Sequence, residues 1–446
     1  MGELRVPTEE RYPLNKAWLG WIGWIGLAVA VIAMAWPRED WTLIKGRLIN
    51  SQAIERMGFG AYLVFDTVDT VGRWWQVSRL DDMDPAPFRA FLESNAVAAR
   101  NPVVPGRSPG KHVVYLQLES MDGLVIGGRY QGEPVMPFLE SLANEGVTFA
   151  NTLDNTASGR TTDGEFLVLT SQVPLTRPPV FVSQSLDQIP SIPRVLRQEG
   201  YRSVSMHGFN GAFWHREKAH QALGYDEMIF EDAMELSEKI GWGWSDHDVL
   251  QEAVRKLEES EGPLFLHVIT LTNHHPYDYI ANRAGIEPGS IAEEYLRSIR
   301  YVDDALAAFF TSLEQAGLRD DCLVVVYGDH DSAVAGPLDE IVESSLPARL
   351  HPDTIPMIMV GFDRPSQRVD LVAGLQDVPV MVLEELGIEA PLTFTGNGWG
   401  RWGRTRSAQH GGWQSSSAGL VPWEWPVESR LLTLMAINYP EKLLKP

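Results

Sequence analysis

The sequence predicts an α/β fold, with a mostly parallel central sheet, helices on both faces of the sheet and one transmembrane helix before it. After residue 110, short β-branched apolar runs alternate with segments of helical periodicity, which is the pattern of strands joined by helical crossovers. Near the N-terminus, twenty consecutive residues carry no charge. The length of 446 residues is sufficient for one large α/β domain with a smaller appendage.

The uncharged segment, residues 17–36, is long enough to cross a hydrocarbon core of about 30 Å as a helix. Tryptophans cluster at both of its ends, as expected of indoles at the two membrane interfaces. A cleaved signal peptide is the alternative, but such peptides are shorter and end in small residues, whereas this segment runs into MAWPRED. An uncleaved anchor is therefore favoured. Basic residues flank it equally, so the charges leave its orientation open.

Residues 37–110 are predicted to form a juxtamembrane helical region followed by a linker. Between residues 49 and 77, apolar and polar residues recur at roughly helical spacing, which fits a helix on the membrane surface or a helix packed on the following domain. Residues 101–111, NPVVPGRSPGK, are dense in proline and glycine, as is typical of a linker. The main globular domain is expected over residues 111–446.

The strands and helices of that domain are predicted from residue type and period. Apolar, β-branched runs predict strands at 112–119, 202–208, 263–275, 322–330 and 355–362. Apolar residues at three- and four-residue spacing predict helices at 136–146 and 293–317.

Composition restricts the function. Hydrophobic and charged fractions of 44% and 22% are ordinary for a packed globular domain. A formal net charge of −22 argues against a nucleic-acid partner, so an anionic substrate must be held by a local cation or a metal. The single cysteine, Cys322, excludes an intrachain disulfide and a Cys-rich zinc site. Its apolar surroundings predict a small buried residue rather than a reactive thiol.

Four predicted strands end on side chains that can bind a metal or a phosphate. These side chains are Glu119, His207, Asn273 with His274 and His275, and Asp329 with His330. Ligands bind outside the carboxyl ends of strands in open α/β sheets, so the four groups are expected to converge. Each alone is more often a cap, an ion-pair partner or a satisfied histidine. Together they favour a site.

The segment NTASGRTTDGEF, residues 155–166, adds a hydroxyl. Thr162 followed by Glu165 predicts a capping box at the start of a helix. Thr161 then faces the amides of the first turn, a place that favours a phosphate, and Arg160 adds positive charge. A threonine hydroxyl is a poor nucleophile unless a metal activates it, and carboxylates with an imidazole suit Mn²⁺, Mg²⁺ or Zn²⁺.

With these residues assembled, the chain resembles the sulfatase/alkaline-phosphatase superfamily, and within it the lipoteichoic acid synthase-like phosphoglycerol transferases. Six motifs carry the resemblance in the family's order over residues 111–400: YLQLESMDG, SGRTTDGEF, MHGFNGAFWHREKAHQALGYDE, TLTNHHPY, RYVDDAL and YGDHDS. The resemblance implies an alkaline-phosphatase/sulfatase-like fold with a catalytic domain at 111–446.

The resemblance also implies the site. The family's metal ligands fall on Glu119, Thr161, Asp329 and His330. Thr161 is also the family's nucleophile, and the metal is Mn²⁺ or Mg²⁺. The positions that line the glycerol-phosphate pocket fall on His207, Trp214, Arg216 and His274. Arg216 can pair bidentately with phosphate, and His274 is expected to bond the phosphate or to protonate the leaving alcohol.

The implied function is a membrane-anchored phosphoglycerol transferase. It would move glycerol phosphate from phosphatidylglycerol to a glucan, a glycolipid or a glycerol-phosphate polymer through a covalent threonine intermediate. Residues 1–16 would form a cytoplasmic tail, with one span in the cytoplasmic (inner) membrane and the catalytic domain on the periplasmic, extracytoplasmic side. A phosphodiesterase or phosphatase, a phosphoethanolamine transferase and a non-catalytic membrane binding module are the alternatives.

Three departures from family patterns qualify this expectation. Phe209 stands where the family commonly has an acidic residue, with Asn210 as a substitute for recognising the glycerol hydroxyls. The sequence shows one membrane span where family members often have several. Sulfatases proper need a Cys or Ser in a C/S-x-P-x-R setting, and Cys322 lies on a different predicted strand, so sulfate-ester hydrolysis is disfavoured.

Overall fold

A computed structural model describes residue 54 and residues 58–101, 107–332, 334–344, 354–407, 411–416, 419–423 and 429–444. The predicted transmembrane segment at 17–36 lies outside this part of the chain. Among the helices that are described, none combines the length and the apolar character needed to span a membrane. The chain divides into two compact units, Met1–Ser78 and Arg79–Pro446.

The helices of the described residues are α1 (Phe59–Arg79), α2 (Ala86–Ala99), α3 (Pro137–Glu145), α4 (Thr161–Thr170), α5 (Val180–Ser183), α6 (Ile192–Gln198), α7 (Arg216–Leu223), α8 (Asp246–Glu258), α9 (Tyr279–Ala284), α10 (Ile291–Gln315), α11 (Ala335–Ile341), α12 (Val378–Leu386), α13 (Ser429–Asn438) and α14 (Pro440–Leu444). The first belongs largely to the N-terminal unit.

The strands are β1 (His112–Leu118), β2 (Gly128–Tyr130), β3 (Glu133–Pro134), β4 (Val147–Leu153), β5 (Arg202–His207), β6 (Glu227–Ile229), β7 (Lys239–Ile240), β8 (Gly243–Trp244), β9 (Leu264–Ile269), β10 (Cys322–Gly328), β11 (Glu343–Ser344), β12 (Thr354–Ile355), β13 (Met357–Val360), β14 (Gln367–Gly374), β15 (Arg404–Ser407), β16 (Gly411–Ser416) and β17 (Gly419–Trp423).

The central sheet is mixed. Its strand order is β12–β4–β13–β10–β1–β9–β5–β6, with β14 also paired to β4. The half from β10 to β6 is parallel, as predicted. In the other half, β13 runs antiparallel to both β10 and β4, and β12 runs antiparallel to β4. The sheet is therefore mixed, although most of its strands share one direction as predicted. An apolar run indicates that a strand is buried on both faces, but it does not indicate the direction of the strand. The sequence therefore does not predict the reversal of β12 and β13.

The parallel half places the site. Leu118 in β1 pairs with Gly328 in β10, so the next residues of both strands, Glu119 and Asp329, leave the sheet side by side. All seven residues of β10 are buried, because helices cover both faces of the sheet. Cys322 starts this strand, and burial raises the pKa of its thiol to about 12, which confirms a buried residue.

The long predicted helix is present as α10, beginning at Ile291 and ending at Gln315. Ser290 and Glu293 form a capping box at its start. Its apolar face, which includes Ile299, Val302 and Phe309, is buried in the main hydrophobic core together with residues of β1, β9 and β10. The helix therefore supports one face of the strands that end at the site.

Candidate active site

Glu119, Asp329 and His330 form a compact buried cluster at the carboxyl ends of β1 and β10. One ligand-type atom from each lies within 4.8 Å of the others, as a shared metal ion would require. His330 Nε2 is 3.5 Å from Glu119 Oε1 and 3.7 Å from Asp329 Oδ2. Thr161 joins the cluster, because its hydroxyl donates to Glu119 Oε2 at 3.2 Å. The structure thus brings together the four residues predicted as ligands.

The cluster favours a cation. Asp329 Oδ2 is buried and has no hydrogen-bond partner in the described part of the chain. Burial and the nearby charge of Glu119 raise the pKa of Asp329 well above its usual value. Burial also opposes the charge on Glu119, but His330 outweighs it and holds that pKa below its usual range. Two buried carboxylates in contact are costly unless a positive charge lies between them, so the donor set fits a divalent ion.

Backbone and second-layer contacts orient the cluster. The amides of Ser120 and His330 both donate to Asp329 Oδ1 at 2.8 Å. His330 Nδ1 lies 2.8 Å from the Asp331 carbonyl oxygen and 3.0 Å from Arg160 Nη2, and Nε2 faces the carboxylates. Burial and Arg160 oppose a charge on this imidazole, but Asp329 and Glu119 outweigh them and raise its pKa to about 9.

Arg160 supports this arrangement from the residue before α4. Its guanidinium donates to the Asp331 carbonyl at 2.7 Å and pairs with Asp154 at 3.2 Å. Its backbone has φ 46° and ψ −109°, a strained conformation for a residue with a Cβ. Strain of this kind persists only where surrounding contacts hold it, and here they tie the start of α4 to the loop after β10.

The predicted capping box at Thr162 and Glu165 is wrong. Helix α4 begins at Thr161, and no side chain caps it. The Thr162 hydroxyl instead donates to the Gly159 carbonyl at 3.0 Å, and Glu165 bonds side chains of another helix. Asp163 instead bonds the backbone just before the helix, since its Oδ2 accepts from the amides of Ala157 and Gly159. Thr161 is therefore in the first turn of the helix rather than before its cap.

Gly164 allows α4 to approach the end of β10. A Cβ at this position would lie 3.0 Å from the Asp329 carbonyl oxygen and 3.1 Å from the Asp329 Cβ. The helix backbone and the strand end are therefore in close contact. This contact places Thr161, one turn earlier in α4, beside the carboxylates.

Two residues predicted to line the substrate pocket are buried beside the cluster. His207 ends β5, and its Nδ1 lies 3.0 Å from the Ile269 carbonyl oxygen, so Nδ1 carries the proton and Nε2 is left as an acceptor. Burial first, and then the charge of Arg216, lower the pKa of His207 to about 3. Arg216 is 1% exposed and pairs with Glu165. This burial is more complete than the sequence indicates.

The other two predicted pocket residues, His274 and Trp214, lie at an aromatic rim. The Trp242 ring lies 4.1 Å from the His274 ring, and Phe209 connects Trp242 to His207 through centroid distances of 5.7 and 6.5 Å. His274 Nδ1 lies 2.8 Å from the His275 carbonyl oxygen, which leaves Nε2 available.

Trp214 approaches the same rim through Phe213, with ring centroids 5.7 Å apart. Its backbone φ of 57° is in the left-handed region, in a turn that begins beside Asn210. The Asn210 side chain accepts from the Ala212 amide at 2.7 Å, so it stabilises this turn. Phe209 contacts the rings of His207, Phe213 and Trp242.

Sequence reasoning missed several residues that shape the site. They are Asp154, Asp331, Glu165, His220 and Trp242. Asn273, by contrast, is one of the predicted strand-end groups. Asn273 bridges the carbonyls of Glu119 and Ser120 at 3.0 and 3.2 Å. The sequence predicts the strand-end position of Asn273, but the two carbonyls it contacts are brought to it only by the fold. The others carry no spacing signal, because their partners are distant in the chain.

Comparison with known proteins supports the resemblance to sulfatases and lipoteichoic acid synthases. A family model described as sulfatase matches residues 111–413, more than half of the chain. Lipoteichoic acid synthase 2 of Bacillus subtilis (strain 168) is 28% identical over 353 residues, covering 75% of this chain and 54% of that protein. Lipoteichoic acid synthase 1 of the same strain is 30% identical over 336 residues, covering 73% and 52%. The chain spans about half the length of these curated relatives.

Solved structures share the fold. The lipoteichoic acid synthase LtaP from Listeria monocytogenes superposes with a TM-score of 0.66 at 21% identity, covering 78% of this chain and 96% of that chain. An alkaline phosphatase superfamily protein from Vibrio parahaemolyticus gives a TM-score of 0.60 at 22% identity, covering 81% and 95%. These likenesses confirm the alkaline-phosphatase-like fold. With the family model matching over most of the second unit, the chain belongs to the sulfatase family.

Proposed function

We propose that this chain is a divalent-metal-dependent phosphoglycerol transferase with Thr161 as its nucleophile. One observation carries the proposal: the Thr161 hydroxyl bonds Glu119 at 3.2 Å, within the buried cluster that includes Asp329 and His330. The likeness to lipoteichoic acid synthases over about half of their length supports the phosphoglycerol class.

The residues that would hold the metal are Glu119, Thr161, Asp329 and His330. Their oxygen and imidazole donors suit Mn²⁺ or Mg²⁺. When bound, such an ion would act as a Lewis acid, stabilising a threonine alkoxide and the charge that develops on the phosphoryl oxygens.

The chain's own residues would carry two transfers. The Thr161 hydroxyl first loses its proton to bulk water; the resulting Oγ alkoxide then attacks the phosphorus of a phosphatidylglycerol headgroup, and the bond from phosphorus to the diacylglycerol oxygen breaks. His274 gives a proton to the departing diacylglycerol, leaving glycerol phosphate on Thr161. An acceptor hydroxyl then attacks this phosphothreonine ester, gives its proton to His274 and frees Thr161 Oγ. Arg216 would hold the phosphoryl oxygens, and His207 Nε2 would accept from a glycerol hydroxyl.

The donor and the acceptor follow from this chemistry as parts of the proposal. A phospholipid donor is consistent with an anchor at residues 17–36, because the anchor confines enzyme and donor to one membrane. A glucan, a glycolipid or a glycerol-phosphate polymer would supply the acceptor hydroxyl. The catalytic domain would then face the extracytoplasmic side of the cytoplasmic membrane.

The test uses the full chain in detergent with Mn²⁺ and phosphatidylglycerol labelled in its glycerol headgroup. Mass spectrometry is expected to find glycerol phosphate on Thr161 and labelled product on an added glucan or glycolipid. Release of free glycerol phosphate alone, with every acceptor supplied, would make the protein a phosphodiesterase. If neither an adduct nor diacylglycerol forms and Mn²⁺ does not bind, the protein is a non-catalytic binding module.

A further inference from the structure

Glu165 is a buried acid one helical turn after Thr161. Residues four apart lie on the same face of a helix, so α4 presents both side chains in the same direction. Glu165 is completely buried, and its carboxylate accepts from Arg216 Nε at 3.0 and 3.1 Å and from Arg216 Nη2 at 2.9 Å. His220 Nε2 lies 2.7 Å from the other side of the carboxylate. We call Glu165, Arg216 and His220 the Glu165 network.

The protonation of the network follows from its partners. The carboxylate can only accept, so His220 Nε2 carries a proton, and its Nδ1 accepts from the Ser205 hydroxyl at 2.8 Å. Burial lowers the pKa of His220. Burial opposes ionisation of Glu165, but the charge of Arg216 outweighs it and lowers that pKa to about 2. One carboxylate therefore neutralises one guanidinium, and the imidazole is neutral.

One edge of the guanidinium is left over. Arg216 Nη1 is buried and has no hydrogen-bond partner among the described residues, whereas Nε and Nη2 are held by Glu165. A buried donor without a partner is costly, which points to a ligand that accepts from it. The charge of Arg216 also acts on His207 at the end of β5, so the guanidinium lies near the strand-end site.

We infer that Glu165 is a positioning residue: it fixes Arg216 on the face of α4 that carries Thr161, so that Nη1 donates to the phosphoryl group that Thr161 attacks. His220 in turn fixes the carboxylate of Glu165. This inference rests on the proposed function for the identity of the ligand.

The inference predicts a separation between binding and turnover. Glu165→Gln keeps the size of the side chain but removes its charge, so Arg216 stays cationic and loses its fixed orientation. The variant should bind inorganic phosphate at least as tightly as the unaltered protein, while kcat falls about 10- to 100-fold, the range seen when an outer contact of a site is lost. Arg216→Gln should lose both phosphate affinity and turnover.

The experiment is a double-mutant cycle on the full chain in detergent with Mn²⁺. Calorimetry measures inorganic phosphate binding, and labelled phosphatidylglycerol measures kcat and KM. Because Glu165 acts through Arg216, adding Glu165→Gln to Arg216→Gln should change neither value further. Glu385→Gln is the matched control. Glu385 is a buried acid on α12 that pairs with Arg364 at 3.1 Å. Its change to Gln should lower stability without altering kcat or phosphate binding.

Each result decides the matter. Equal effects of Glu165→Gln on kcat in both backgrounds, or a loss of thermal stability with unchanged kcat, would overturn the positioning role. A cycle that is non-additive in kcat in a protein that hydrolyses phosphatidylglycerol without labelling any acceptor would keep the positioning role and reject the transferase. His220→Gln, which keeps an N–H donor, should retain more activity than His220→Leu; equal activities would also count against the network.

Discussion

The Thr161 hydroxyl lies 3.2 Å from Glu119 Oε2, although 42 residues separate the two in the chain. Glu119 follows β1, and Thr161 begins α4, so the contact joins the end of a central strand to the start of a helix. Glu119 belongs at the same time to the cluster with Asp329 and His330. The candidate nucleophile is thus held inside the candidate metal site, and the following predictions depend on this relationship.

Removing the Thr161 hydroxyl is expected to stop the reaction without unfolding the protein. Thr161→Ala should lower turnover by a factor of about 10⁴ or more and abolish the covalent adduct, because no other group replaces the nucleophile. Thr161→Ser should keep part of the activity. The measurement is diacylglycerol release with adduct detection. Thr311→Ala, an exposed hydroxyl on α10, is the control, and wild-type release by Thr161→Ala would refute the mechanism.

Asp329 is expected to be required for metal binding, because its Oδ2 is a buried oxygen without a hydrogen-bond partner in the described residues. At a hundredfold excess over Kd, Mn²⁺ should stabilise the unaltered protein by about 2.7 kcal/mol, and Asp329→Ala should lose this gain. Urea unfolding with and without Mn²⁺, together with elemental analysis, measures it. The exposed acid Asp304 supplies the control variant Asp304→Ala. Equal stabilisation of all three proteins would show that the metal binds elsewhere.

Gly164→Ala is expected to disturb the site although it adds a good helix former. In an exposed helix this change gains up to about 1 kcal/mol, but here the new Cβ would meet Asp329 atoms at 3.0 and 3.1 Å. Displacing Asp329 should weaken Mn²⁺ binding and lower turnover. Gly336→Ala in α11, where nothing lies within 4 Å, is the matched control and should leave both unchanged. If the two variants bind Mn²⁺ and turn over substrate equally well, the close contact between Gly164 and Asp329 does not affect function.

His267 is expected to make stability depend on pH. Burial, the largest cause, lowers its pKa from 6.5 to about 3. Between these values the unfolded chain binds a proton that the folded protein does not, so this group contributes stability above pH 6.5 that is lost as pH falls towards 3. Its slope is about 1.4 kcal/mol per pH unit. His267→Gln should remove that slope from urea-unfolding data at pH 4.5–6.5, and an unchanged slope would contradict the assignment.

Much of the site could be predicted because its residues follow strands that share one direction. Glu119, Asp329 and His330 stand at the ends of predicted strands, and parallel strands end at the same edge of a sheet. The order of the six motifs then indicated the family, and the resemblance predicted Thr161 as a metal ligand and nucleophile. The helical period likewise predicted α10 to within two residues at each end.

The rest depends on partners that the sequence does not name. A buried apolar run does not give strand direction, so the antiparallel β13 was not predicted. The pattern from Thr162 to Glu165 matched a capping box, yet the partner of Glu165 is Arg216, 51 residues later. In the folded protein the contact with Arg216 replaces the local hydrogen bond that the capping-box pattern predicts for Glu165.

The amino-acid sequence by itself determined which chemical groups stand at strand ends, because side-chain type and hydrophobic period are local properties. Only the tertiary structure decided which of those groups meet. It paired Arg216 with Glu165, placed Trp242 on His274 and left one oxygen of Asp329 without a hydrogen-bond partner within the described residues. The physical reason is that burial and hydrogen bonding are satisfied by neighbours in space, and those neighbours are fixed by the packing of the whole sheet and its helices.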